Sequence, residues 1–228
     1  MPYKNIIITG TSSGIGFELA QQFADAGHNV LAVSRNSKPL NLLNHKNITT
    51  LSVDITDDTQ LKKIENYIKE NWQKVDILVN NAGFLINKSF SKTTTQDYID
   101  VYKVNVFAAA SLIKIALPSL KKGSHVINVS SIGGIRGSLK FPGLATYSSS
   151  KGAIITLTEL LAEEYKDTGI SFNALALGAV QTEMLAKAFP DYKAPVAAQE
   201  MATYIMNFSL TGQKLFNGKV IEVSSTTP

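Results

Sequence analysis

The chain has 228 residues, 44% of them hydrophobic and 18% charged, with 22 basic and 18 acidic side chains and a net charge of +4. That length accommodates one large domain or two small ones with a full apolar core, and the composition excludes a disordered polypeptide. The basic excess is small and scattered, which argues against a nucleic-acid surface while mildly favouring anionic ligands; the lack of cysteine excludes disulfides, thiol catalysis and thiolate metal sites.

His28, His45 and His125 lie far apart with no ligand-type spacing, so no metal site is expected. The start, from Met1 through Asn5, has neither the apolar length of a signal peptide nor that of a membrane span. A cytoplasmic protein without membrane contact is the expectation.

Asn5–Thr9 reads as a first strand ending at glycine, and Ile15–Gly27 as a helix stopped by Gly27. Val30–Ser34 is a second strand, followed by a polar loop through Pro39. Ile48–Asp54 is a third strand, and Asp57–Asn71 has the acidic start and apolar spacing of a helix. Val75–Asn80 is a fourth strand. Thr95–Leu120 reads as largely helical, with Pro118 marking its last turn or a kink. His125–Ser130 is a fifth strand, Ala145–Thr168 a long helix and Ile170–Ala176 a sixth strand. Thr182 to Gly212 is less regular and should hold one or two short helices, and Gly218–Val223 closes as a seventh strand. No repeat or linker interrupts the pattern, so residues 1–228 are expected to form a single domain. Short, nearly continuously apolar strands separated by helices imply a doubly wound α/β sheet of about seven mainly parallel strands with helices on both faces. Ligands bind such sheets beyond the carboxyl ends of the strands.

Directly after the first strand stands Thr9-Gly10-Thr11-Ser12-Ser13-Gly14-Ile15-Gly16, which leads into a helix. Glycines at this place let the backbone turn tightly and approach a pyrophosphate, which the helix N-terminal amides then bind. Past the second strand the chain reads Ser34-Arg35-Asn36, with no carboxylate for a ribose 2′-hydroxyl and an arginine suited to a 2′-phosphate. NADP(H) is therefore the preferred cofactor, with NAD(H) possible. Arg35 read as a solvated surface residue is the competing view. Asp54, after the third strand, can either bond the adenine amino group or cap the helix that follows.

Tyr147 and Lys151 are four residues apart, and on a helix they share one face. An unperturbed phenol has a pKa of about 10, and an ammonium beside it favours the phenolate. A phenol tuned in this way passes a proton to and from a substrate oxygen. The pair also fits an ordinary helix face.

With the glycine loop, Asp54-Ile55, Asn80-Asn81-Ala82-Gly83, Asn105, Ser130-Ser131, Tyr147–Lys151, and Asn173 with Gly178 and Thr182, the chain resembles the short-chain dehydrogenase/reductase family over essentially its whole length. The segments are individually short, but they occur in the family's order. The resemblance implies a Rossmann-type fold and an oxidoreductase that transfers hydride to a ketone or aldehyde carbonyl, or from the corresponding alcohol. It makes Tyr147 the general acid, and Lys151 the group that lowers its pKa and holds the nicotinamide ribose. Ser131 would bond the substrate oxygen, with Ser130 as the fallback if the register shifts. Asn105 would support a water-linked proton path to Lys151. Asn81, Ala82 and Gly83 would contact the cofactor, as would Ile55 and Gly178, while Thr182 and the Val180 backbone would grip the carboxamide. Thr182 fits equally well as a helix N-cap.

The chain also departs from the family pattern. The interval from Ser131 to Tyr147 is longer than usual, which places extra residues in Ile135–Phe141, with Arg136 and Lys140, at the substrate mouth. Leu177 stands where a proline is usual, and Val223-Ser224-Ser225 replaces an acidic-glycine ending. The segment after Thr182 is short, so the lid should be small. Phe141, Leu144, Met184, Leu185, Phe189 and Tyr192 are candidate wall residues. Val104–Leu117 and Gly152–Ala162 are apolar on more faces than a sheet needs, and family members commonly pair these helices, so a homodimer or homotetramer is expected. An enzyme acting on a small carbonyl or alcohol is one reading; a non-catalytic NADP(H)-binding sensor or scaffold is the other.

Overall fold

The computed structural model describes residues 3–224, so Met1, Pro2 and Ser225, which entered the expectations for the two ends, lie outside the described residues. In chain order the elements are β1 (Asn5–Thr9), α1 (Gly14–Asp25), β2 (Asn29–Ser34), α2 (Lys38–Asn41), β3 (Ile48–Ser52), α3 (Asp58–Asn71) and β4 (Val75–Asn80). Then come α4 (Thr95–Tyr102), a π turn (Lys103–Phe107), α5 (Ala108–Ala116), β5 (Leu120–Ser131), α6 (Ala145–Glu164) and β6 (Ser171–Leu177). The chain continues through β7 (Val180–Gln181), α7 (Glu183–Ala188), β8 (Val196–Ala197), α8 (Ala198–Thr211) and β9 (Val220–Val223).

Seven strands pair in the order β3-β2-β1-β4-β5-β6-β9, every pair parallel. Side chains alternate between the two faces, as strand geometry requires. Ile6 and Ile8 join Phe23 of α1 and Ile205 of α8 on one face, and Ile7 joins Ile64 of α3 and Leu112 of α5 on the other. Each such fully buried side chain contributes about 1.5–3 kcal/mol. The result is the doubly wound sheet with helices on both sides that the sequence pattern implied. Strand order reverses between β1 and β4, and there the crevice opens that accepts ligands in this architecture.

Most polar groups inside the sheet are paired, although the buried Asn80 Oδ1 has no partner among the described residues. Asn80 donates to Asn128 at 2.8 Å, and Asn128 donates to Thr158 of α6 at 2.8 Å. His125, buried with its Nε2 against Asn173, is held neutral because burial pushes its pKa down to about 4.

Several boundaries differ from the sequence pattern. The loop through Pro39 contains the short helix α2, with Pro39 in its first turn. The helix expected to run to Leu120 ends earlier: α5 stops at Ala116, a 3₁₀ turn holds Pro118, and β5 starts at Leu120. That strand is irregular at its start, its register with β4 slipping between Val75 and Ile77. The stretch beyond Thr182 holds not only short helices but the 14-residue α8, plus a two-stranded ladder between β7 and β8.

Candidate active site

The glycine loop joins β1 to α1 at the crevice. Gly10 has φ +72, and a Cβ there would stand 2.8 Å from the Ala82 α-carbon, so no other residue fits. The Thr9 hydroxyl accepts from the N–H groups of Asn81 (3.1 Å) and Ala82 (3.0 Å), while the Asn81 amide donates to the carbonyls of Thr9 (2.9 Å) and Gly10 (3.3 Å). These bonds bind the end of β1 to the segment after β4. Ser13 occupies the N-cap of α1 without a side-chain cap bond. The free amides of the first helical turn are the donors a pyrophosphate requires. Gly10, Ser12, Ser13, Gly14 and Ile15 line the cleft, whereas Gly16 does not. The Gly10 carbonyl packs on Gly16 where a Cβ would project, so this glycine serves the loop's turn from behind.

Tyr147 lies in the first turn of α6 and Lys151 one turn further on, both on the cleft surface. The Lys151 ammonium stands 5.6 Å from the Tyr147 ring centroid and donates to the Val129 carbonyl at 2.8 Å. The Ser131 hydroxyl is hydrogen-bonded to the Tyr147 hydroxyl and accepts from the Gly133 N–H at 3.2 Å. Ser130 is buried, its hydroxyl committed to the Lys151 carbonyl at 2.8 Å. Ser131 is thus the serine that faces the phenol.

The electrostatics of the site differ from the expectation. Desolvation pushes the Tyr147 pKa up to about 12, against a smaller lowering by the Ser131 hydrogen bond. Desolvation also pushes Lys151 down to about 8. Burial is the dominant cause at both groups, and Tyr147 is protonated at neutral pH while Lys151 is charged.

Asn105 occupies the π turn, where the extra residue of the wider turn swings its side chain inward. Its amide accepts from the Phe84 N–H (2.8 Å) and donates to the Phe84 carbonyl (3.0 Å) and the Ser150 hydroxyl (2.9 Å). With both amide N–H groups used, a proton relay through Asn105 has its main chain and the second lone pair of Oδ1 to offer. A Cβ at Gly83 would be 3.8 Å from both Asn105 Oδ1 and Lys151 Nζ, which places Gly83 between them.

Ser34 and Arg35 follow β2 at the far end of the cleft. The backbone is pinned by the Ser34 hydroxyl on the Asn36 carbonyl (2.9 Å) and the Ser52 hydroxyl on the Arg35 carbonyl (2.8 Å). The exposed Arg35 guanidinium makes no ion pair among the described residues. Asp54 and Ile55 line the cleft nearby. The cap of α3 is Asp57, which accepts from Thr59 N–H at 2.8 Å, so the capping role considered for Asp54 is corrected. Asp54 instead accepts from the Thr56 N–H and hydroxyl in a local turn.

At the other end Gly178, Val180 and Thr182 line the cleft, and Thr182 also caps α7 through the Leu185 N–H at 3.2 Å. Leu177 continues β6, paired with Ser131 and Val223. The cavity encloses about 900 Å³, enough for a dinucleotide-sized ligand and a small substrate, and Phe141, Leu144, Met184, Leu185, Phe189 and Tyr192 all reach it. Sequence reasoning missed the Thr9 hydroxyl, the Phe84 backbone and Ser150 as supports of the site. Only Thr9, beside the first glycine, carried a legible signal.

A family model described as short chain dehydrogenase matches residues 4–193. The chain is 31% identical over 219 residues to the probable short-chain type dehydrogenase/reductase VdlC of Helicobacter pylori strain J99, covering 94% of this chain and 80% of that protein. Among solved structures, ElxO with NADP bound superposes with a TM-score of 0.84 at 29% identity, covering 97% of each chain. The 3-ketoacyl-(acyl-carrier-protein) reductase of Brucella melitensis complexed with NADH gives a TM-score of 0.87 at 24% identity, covering 96% of each chain, which bears on the fold alone. The chain spans 65% to 80% of the length of the curated relatives it matches.

Proposed function

Because this chain belongs to the short-chain dehydrogenase/reductase family of oxidoreductases, we propose that it is an NADPH-dependent reductase of a ketone or aldehyde carbonyl, working in reverse on the alcohol. The observation that carries this reading is the Ser131–Tyr147 hydroxyl pair, set at the cleft with the Lys151 ammonium 5.6 Å behind the ring. The residues around the cleft fit a dinucleotide: bare amides at the start of α1, and a loop that only glycine permits at position 10. A dihydronicotinamide coenzyme bound there would supply the hydride, which no side chain can provide.

The protein's part is polarisation and proton supply. Ser131 and Tyr147 donate hydrogen bonds to the carbonyl oxygen, which stabilises charge as it develops. Tyr147, protonated in the resting site, gives up its proton to that oxygen. Lys151 stabilises the phenolate left behind and would bond the coenzyme ribose. Arg35, without an acidic neighbour at positions 34–36, supports NADP(H) over NAD(H). The NADP held by the ElxO relative agrees with it. A homodimer or homotetramer built on α5 and α6, at work in the cytoplasm, completes the reading.

Tyr147→Phe is the deciding experiment. NADPH-linked carbonyl reduction should fall about 10²–10⁴-fold, while NADPH still binds as in the wild type by fluorescence titration. Retained turnover would remove the catalytic assignment. Wild-type protein that binds NADPH but reduces no carbonyl would favour the sensor reading.

A further inference from the structure

Three segments meet at the outer edge of the cleft, and one side chain joins them. Residues 82–94, after β4, bring Phe84 and Leu85 to the cleft; residues 132–144, with the lengthened stretch, bring Phe141 and Leu144; α7 brings Met184 and Leu185. Asn87, exposed on the first segment, donates from Nδ2 to the Ala188 carbonyl at 2.8 Å. Ala188 ends α7, and carbonyls of a last helical turn have no partner within the helix. Asn87 Oδ1 packs on Gly143 so tightly that a Cβ there would collide with it, and Gly143 has φ +88. Beside it, the Lys88 N–H donates to the Gly143 carbonyl at 2.9 Å, and the Lys88 ammonium pairs with Asp97 of α4 at 2.6 Å.

An exposed amide of this kind contributes little to a well-packed element. α7 is not one: it has six residues, none of them buried. A helix that short has no stability of its own in water. Its position therefore depends on a few end contacts, the Thr182 cap at one end and Asn87 at the other.

We propose that Asn87 is a positioning residue for the substrate: by tying α7 to the two loops opposite, it sets the width of the cleft beyond Ser131 and Tyr147. The side chains it gathers at this edge, Phe84, Leu85, Phe141, Leu144, Met184 and Leu185, are apolar, while Asp100, Lys103 and Glu183 also line the cleft. The part of the substrate held here is a compact, uncharged ketone or aldehyde, and the size limit comes from this strut. This rests on the reductase reading given above.

The test uses Asn87→Ala and Asn87→Asp, the latter keeping the shape but offering no N–H. Hydrogen exchange over residues 183–193 is followed with NADPH titration and with reduction of a ladder of uncharged ketones from acetone through cyclohexanone to tetralone. Both variants should raise exchange in that stretch about fivefold, the value of one modest hydrogen bond. KM for the smallest ketones should rise by about the same factor with kcat little changed, and the size preference should flatten, while NADPH affinity stays within about twofold. Unchanged exchange, a uniform loss of kcat along the ladder, or Asn87→Asp behaving as wild type overturns the proposal. Should wild type reduce no ketone on the ladder, the reductase reading fails, and the exchange experiment alone decides whether Asn87 holds α7.

Discussion

Lys151 is 3% exposed, and among the described residues its ammonium has a single hydrogen-bond partner, the Val129 carbonyl, so the folded protein binds its proton less tightly than the unfolded chain does. The folded pKa of about 8 lies below the ordinary 10.5. Between those values the unfolded chain holds more protons, so stability rises with pH across that window, and the cost is fully present below pH 8. Its size is about 3 kcal/mol at most, taken at about 1.4 kcal/mol per pKa unit. Lys151→Met should therefore gain most over wild type near pH 7 and lose that advantage towards pH 10, while abolishing turnover. Denaturant melts at the two pH values check this; a difference that does not change with pH refutes it. Arg35 is simpler. Arg35→Ala should raise the KM for NADPH by about tenfold or more, the value of a charge-assisted hydrogen bond pair, and leave NADH use unchanged. Equal use of both coenzymes by wild type would remove the NADP preference. At this scale the sequence was legible where residue type and strand order together decide placement: Tyr147 and Arg35 both line the cleft. It was less so where geometry chooses between neighbours. Asp54 and Asp57 are three apart, and only Gln60, whose amide donates to Asp57 at 2.9 Å, marked the true cap.

Elements with a strong period were readable, and elements defined by a single bond were not. β1, β2 and β4 are apolar runs between turn residues, and α3 has acid at its start and a stripe of Leu61, Ile64 and Ile68. The π turn interrupting α4 and α5 contains neither proline nor glycine, so nothing local announced it. It persists because the inward Asn105 amide finds three partners, two on Phe84 and one on Ser150, each far away in the chain. The β7–β8 ladder has two residue pairs, too few for any alternation to show. The early end of α5 follows from Pro118, whose ring stops the helix, and from Leu120, which turns into the core beside β4.

Taken whole, the molecule brings the glycine loop, Ser131, Tyr147 and Lys151 to one cleft at the point where strand order reverses, while Asn105 lies behind that lining in the π turn. That placement was legible because a parallel sheet leaves no other rim for a crevice. Association is a property of this scale as well. The apolar run Thr95–Ser119 is only partly buried, Phe107 remains 56% exposed, and Leu160 of α6 is 58% exposed. Apolar side chains of this size on two helices outside the sheet are the surface on which the proposed homodimer or homotetramer would form. Light scattering at micromolar concentration should report a dimer or tetramer, and Leu160→Glu should shift it towards monomer. A monomeric wild type would reject the interface.

One consequence of strands that all run the same way lies on the other side of the protein. The turns before β2 and β6 and near the start of β5, at Gly27, Gly169 and Gly123, form a rear rim that carries none of the chemistry. A tether or solid support coupled there would hang from the back and leave the working face open to bulk solution. Since the native chain contains no cysteine, a thiol introduced at one of these turns would be the unique handle for such coupling.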